Sequence, residues 1–110
     1  MSDARAYKLV WFVPREALDP TREAVFAAGA GHIGEYERCS WYTAGTSTFF
    51  AGEGTDPSVG RVGSDQRVSE LRVETVVPAE CVRAVIDALV TAHPYEEPAF
   101  DLYPLADPRP

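Results

Sequence analysis

The feature that most constrains this chain is that it repeats itself. KLVWFVP (Lys8 to Pro14) returns as RVETVVP (Arg72 to Pro78), and AVFAAGAG (Ala24 to Gly31) returns in the same register as ALVTAHPY (Ala88 to Tyr95), both at an offset of 64 residues. Each copy reads as a β-branched extended run, a Val-Pro step, a helical stretch, a Gly or Pro break and a second extended run. Two strand-helix-strand units in one short chain leave few folds open, because each helix must pack back onto a shared sheet.

The second helix is the more regular. Val82, Val85, Ile86, Leu89 and Val90 recur at i, i+3, i+4, i+7 and i+8 and form one apolar stripe, with Arg83 and Asp87 on the wet side. The spacing predicts a helix from just after Pro78 to His93, where Pro94 stops it. The first helix is expected over Pro20 to Ala28, with Ala24, Val25 and Ala28 as its apolar face and Gly29 and Gly31 breaking it. CSWYT (Cys39 to Thr43) and TSTFF (Thr46 to Phe50) flank Ala44-Gly45 and suggest a hairpin turning there. The Gly-rich stretch from Ala51 to Asp65 reads as a surface loop. The fold expected is α+β, a ferredoxin-like split βαβ sandwich with an inserted hairpin and long loop on an antiparallel sheet. Positions on both sides of Leu9 to Val13 and of Leu71 to Val77 read as largely apolar, which predicts oligomerisation through the open sheet face.

Composition narrows the partners. At 110 residues and 45% apolar content the chain is one domain, large enough to fold without a disulfide framework or structural metal. Seventeen acidic against ten basic side chains give a net charge of −7, which disfavours nucleic acid and anionic membrane surfaces. The two cysteines, Cys39 and Cys81, show no zinc-finger spacing and read as small thiols without an evident base. The first residues carry no apolar leader and no run reaches the ~18 residues of a membrane span, so the expected location is the cytoplasm. No GxSxG-type turn or phosphate-binding loop is present, and the chain is expected not to be an enzyme.

GAGHIG (Gly29 to Gly34), Gly45-Thr46-Ser47-Thr48-Phe49, Pro57-x-x-Gly60-x-Val62-Gly63 and HPYEEPAFDLYPL (His93 to Leu105) resemble the CutA-like, PII-like domain inserted in YqfO proteins of the Nif-three-like dinuclear metal-centre family. The likeness runs from about Tyr7 to Leu105, and HPYE followed by Pro is also similar to the terminal motif of CutA divalent-cation tolerance proteins. The chain looks like that domain standing alone: a disordered N-terminus 1–6, a single CutA/PII-like domain 7–105 and a C-terminal tail 106–110. The resemblance implies a ferredoxin-like fold and a homotrimer. The His- and Glu-bearing segments of the family's metal core have no counterpart here, so no dimetal hydrolase activity is implied.

His93, Tyr95, Glu96 and Glu97 are the densest group of metal-capable side chains, suited to zinc, copper or manganese. The competing reading is structural, a His-Pro stop that favours the negative end of a helix. The candidate site is a CutA/PII-like intersubunit cleft in which His93 and Glu96 hold a divalent metal. Tyr95 and Glu97 orient it or a small ligand, and a neighbour's hairpin loop faces the corner. His32, in the Gly29–Gly34 corner, is a further candidate for an anion or metal. The pseudo-twofold implied by the echo puts the two helix C-termini at opposite ends of the sheet, so His32 and His93 should not share a site within one chain. The alternative is a structural or interaction domain with no ligand.

Overall fold

The computed structural model describes residues 4–56 and 61–106. They form β1 (Ala6–Val13), α1 (Leu18–Ala27), β2 (Trp41–Phe50), β3 (Asp65–Pro78), α2 (Val82–Ala92) and β4 (Phe100–Pro104). The sheet is antiparallel throughout in the order β2-β3-β1-β4, with both helices on one face. This is the split βαβ sandwich expected from the echo.

The repeat is kept at the level of single residues. Each unit leaves its strand at a proline, Pro14 (φ −67°, ψ 152°) and Pro78 (φ −62°, ψ 145°), then makes one 3-10 turn, Arg15–Ala17 and Ala79–Cys81. The helices then begin at Leu18 and Val82, so strand exit, turn and helix start all recur 64 residues apart. Proline ends each strand because its φ is fixed and it has no N–H for the ladder. Pro20 is tolerated as the third residue of α1, where an N–H would have no intrahelical acceptor. Gly29 (φ 118°) closes α1, and the extended His93 before Pro94 closes α2.

The core lies between helices and sheet: Leu9, Trp11 and Val13 from β1, Leu71, Val73 and Val77 from β3, Val25 and Phe26 from α1, and Val85 and Leu89 from α2. The Trp11 indole N–H donates to Thr21 Oγ1 at 3.0 Å, and the Thr21 hydroxyl donates to the Ala17 carbonyl at 2.8 Å, so this buried polar pair is satisfied.

Several expectations need correction. Ala44 and Gly45 do not turn; they pair with Leu71 and Glu70 inside a continuous β2. A two-residue hairpin turn needs positive φ, which Gly45 lacks, and the 14-residue β3 offers an unbroken ladder to pair with. The hairpin is β2 and β3 themselves, joined by the loop after Phe50. Phe26 rather than Ala24 anchors α1, and Val90, placed in the stripe of α2, is 45% exposed. β1 includes Ala6, which pairs with Pro78, and the Ala79 N–H donates to the Arg5 carbonyl at 2.9 Å. The rest of the expected N-terminal segment, residues 1–3, the tail 107–110, and Pro57 to Gly60 of the loop motif lie outside the described residues.

The open face differs from a bare apolar surface. Lys8 and Arg72 ion-pair with Glu74 at 3.7 and 3.1 Å, Arg72 stacks over Phe12, and Val10 among them is already 1% exposed in the single chain. The less satisfied part of the sheet is its edge. β2 is exposed along nearly all of its ten residues, and Trp41 (58% exposed), Tyr42 and Phe50 (63% exposed) stand on it.

Candidate functional site

The HPYEEP corner and the root of the β2–β3 hairpin come together at the end of β1. Phe12 lies on the open face, since it pairs with Arg72, and Ser47 and Glu70 share that face by register. The chain after α2 then folds across the end of β1, with the Phe12 N–H donating to the Ala99 carbonyl at 3.3 Å. The result is a cleft of about 450 Å³ with Phe12, Phe49, Phe50, Ala51 and Ala99 as apolar walls. Ser47, Thr55, Glu70, Tyr95, Glu96 and Glu97 supply its polar groups.

Glu70 is the unusual member, with only 9% of its surface exposed. The Ser47 hydroxyl donates to its carboxylate. Among the described residues no lysine, arginine or histidine lies within ion-pair distance of it. Tyr95 is the second. Burial pushes its phenol far above the usual value, and the neighbouring Glu70 carboxylate adds to the push. The buried Tyr95 hydroxyl has no partner within hydrogen-bond distance, although Glu70 stands near enough to act on it as an acceptor. An unpaired polar atom at the wall of a cleft is a group that a ligand would satisfy.

The candidates named from sequence separate. Tyr95, Glu96 and Glu97 line the cleft. Within the chain the Asp56 N–H donates to Glu96 Oε1 at 3.0 Å, so the loop after β2 reaches the same corner. His93 does not open on the cleft. It is 6% exposed, its Nε2 donates to the Phe12 carbonyl at 2.7 Å, and its Nδ1 accepts the Tyr95 N–H at 3.2 Å. Both bonds are complete only with the ring proton on Nε2, and neither nitrogen is then left for a metal. The same corner holds Glu96 by the Asp56 amide, and among the described residues no group of three His, Cys, Asp or Glu is arranged to hold a metal ion. In the single chain both His93 nitrogens and one Glu96 oxygen are thus engaged, and His93 serves as a helix stop and Glu96 as a loop clamp.

His32 lies elsewhere. The Gly29–Gly34 corner is tied to the sheet by the Gly31 N–H on the Val76 carbonyl at 2.8 Å, whereas His93 reaches Phe12. Val76 pairs with Lys8, four residues from Phe12, which is about 13 Å along the strand. The two histidines thus sit at opposite ends of the sheet, as the pseudo-twofold requires. His32 is exposed and is removed from the cleft residues.

Glu70 and Phe12 escaped the sequence reading, and Ser47 and Phe49 entered it only within the Gly45–Phe49 run that carries the resemblance. Glu70 alternates with Arg72 and Glu74 on one strand face, a pattern that reads as solvated; only the folding of the corner over β1 buries it.

No family model matches the chain. It is 54% identical over 101 residues to a GTP cyclohydrolase 1 type 2 homolog of Mycobacterium tuberculosis, covering 92% of this chain and 27% of that protein. The chain therefore spans about a quarter of the length of the curated relatives it matches. Among solved structures it is similar to a Bacillus cereus protein related to NIF3, with TM-score 0.83, 45% identity and coverage of 97% of this chain and 27% of that one. It is similar in fold to the periplasmic divalent cation tolerance protein CutA of Archaeoglobus fulgidus, with TM-score 0.69, 15% identity and coverage of 93% and 85%. The likeness expected from the motifs holds: the chain is homologous to a CutA-like segment of Nif-three-like proteins.

Proposed function

We propose that this relative of the CutA-like segment of Nif-three-like proteins is a non-catalytic, cytoplasmic binding module that takes a small ligand in the cleft between the β2–β3 hairpin and the His93–Ala99 corner. The observation that carries this is the pairing of a buried, uncompensated Glu70 carboxylate with the unpartnered Tyr95 hydroxyl at the wall of one apolar cleft. Of the two ligands expected, a divalent ion and a small molecule, the donor set favours the second, because a metal on His93 would have to break at least one of its two hydrogen bonds. Catalysis lacks support. Ser47 and Glu70 are a hydroxyl and a carboxylate without an orienting histidine, since His93 is engaged and His32 lies at the other end of the sheet.

The module works as a homotrimer. CutA-like relatives share its fold, and the free edge of β2 with its exposed Trp41 and Tyr42 supplies a surface for strand-edge association. Sedimentation equilibrium should give three times the 12.0 kDa of the chain, and Trp41→Asp should lower it to the single-chain mass. A monomeric wild type would overturn the trimer. The same exposed edge favours the second reading, an interaction domain with no ligand.

The test of the binding reading is an amide NMR titration of the chelator-treated protein with zinc, copper, manganese and a set of anionic, neutral and cationic aromatic fragments. Saturable shifts in Thr48–Ala51 and Tyr95–Ala99 support it. No binding tighter than millimolar by any of them leaves the interaction domain standing instead.

A further inference from the structure

The cleft also specifies the charge of its occupant. Among the described residues it is lined by three carboxylates, Glu70, Glu96 and Glu97, and by no lysine, arginine or histidine. Glu96 already accepts the Asp56 amide, and Glu97 stands exposed at the rim. Glu70 is the group left without a counter-charge. Arg72, two residues along the same strand face, is spent on Glu74 at 3.1 Å and on the Phe12 ring. A carboxylate that is nine-tenths buried and receives one hydroxyl hydrogen bond is poorly compensated, so any ligand that brings a positive charge to it gains where an anion loses.

We propose that the ligand is a small organic cation, an amidinium, guanidinium or protonated amine on a flat apolar body. Its N–H groups meet Glu70, and its body lies between Phe12 and Phe49. This rests on the binding-module reading and narrows it. The Tyr95 oxygen, which now has no partner, accepts a second N–H from the same group. A guanidinium or amidinium offers donors in a planar fork that fits a carboxylate and an adjacent hydroxyl together. The apolar walls take a flat ring, and a volume of about 450 Å³ suits a molecule of one or two rings. Among the described residues a phosphate-bearing nucleotide finds no basic side chain there, and a hydrated metal ion finds one buried carboxylate among apolar walls.

The probes are benzamidinium, benzoate and benzyl alcohol, which share a ring and differ in charge, titrated into the full chain and followed by amide NMR at Phe49, Glu70 and Tyr95. Benzamidinium is expected to bind saturably and roughly tenfold or more tighter than the other two, and Glu70→Gln to remove that advantage while leaving benzyl alcohol unchanged. Tyr95→Phe, which keeps the ring and deletes the hydroxyl, is expected to weaken benzamidinium about threefold. Should Glu70→Gln not fold, the charge series on the wild type decides. Equal binding of the three probes, or benzamidinium affinity unchanged in folded Glu70→Gln, overturns the cation and leaves a binding module of another specificity. No binding by any probe overturns the cation outright, while the metal and fragment titrations decide separately whether the module binds anything. Cleft shifts that follow protein concentration and ignore benzamidinium also overturn it, by placing a second copy in the cleft.

Discussion

The His93 imidazole donates its Nε2 proton to the carbonyl oxygen of Phe12 at 2.7 Å, which ties the end of α2 to the end of β1 across 81 residues of sequence. The same ring accepts the Tyr95 amide, so one side chain stops the helix, caps the strand and aims the tyrosine. His93→Ala should therefore behave as a core lesion. It is expected to lose roughly 2–3 kcal/mol in urea denaturation, through an orphaned Phe12 carbonyl and the space left by the ring. Zinc calorimetry should return the same absence of saturable binding in both proteins. A zinc affinity lost with His93 would restore it as a ligand.

Tyr95 gives an alkaline signature. Its folded-state value is raised by burial first and by Glu70 second, so its contribution to stability is complete below the ordinary value of 10.0 and is lost as pH rises above it. Tyr95→Phe should leave the tyrosinate absorbance of the folded protein near pH 12 unchanged, because the wild-type phenol stays protonated until the fold opens. A drop in that absorbance would mean that Tyr95 ionises in the folded state.

The acid limb belongs in part to Glu23. The Arg38 guanidinium donates both to its carboxylate and holds it below its ordinary value of 4.5. A depressed value stabilises above the unfolded value, and the benefit disappears as pH falls through the folded one. The urea midpoint of the wild type should exceed that of Glu23→Gln by a constant margin from neutral pH down to about 5, and the margin should close below 4.5. A margin that survives in acid would show that the pair acts by packing, since Arg38 also lies 5.1 Å over the Phe26 ring.

The Gly29–Gly34 corner is tested by comparing two glycines. At Gly31 (φ 91°) a Cβ would stand 2.8 Å from the Phe26 ring and 3.1 Å from the Cys39 amide nitrogen, whereas at Gly34 (φ 58°) it would meet nothing within 4 Å. Gly31→Ala is expected to cost roughly 2–4 kcal/mol, and Gly34→Ala about 1 kcal/mol from backbone strain alone. Thermal denaturation of the two variants reads the difference. Equal costs would remove close packing as the reason for Gly31.

Much of the fold was legible because it rests on local rules that act along the chain. Pro14 and Pro78 end strands wherever they occur, Pro94 stops a helix, and the alternation of Leu9, Trp11 and Val13 faces one side of any strand. Those rules, repeated at 64 residues, determined two strand-helix-strand units and therefore the split βαβ sandwich. They erred where pairing overrode local preference. Ala44-Gly45 looked like a turn and became mid-strand because β3 runs past it.

The candidate site was half legible. Tyr95, Glu96 and Glu97 were named as a dense polar group together with His93, whose ring the fold engages with Phe12 and Tyr95. Its neighbour is Phe12, a contact that no spacing rule connects. Glu70 was invisible for the complementary reason: on a strand that alternates Glu70, Arg72 and Glu74 nothing marks one carboxylate as buried. The sequence by itself determined the two strand-helix-strand units, their order and most of the apolar stripe of α2, since these follow from torsions and periodicity within a few residues. Tertiary structure alone decided which polar groups were stripped of water. Burial of Glu70 and capture of His93 depend on a segment near residue 95 closing over the end of β1, and desolvation is a property of that three-dimensional enclosure.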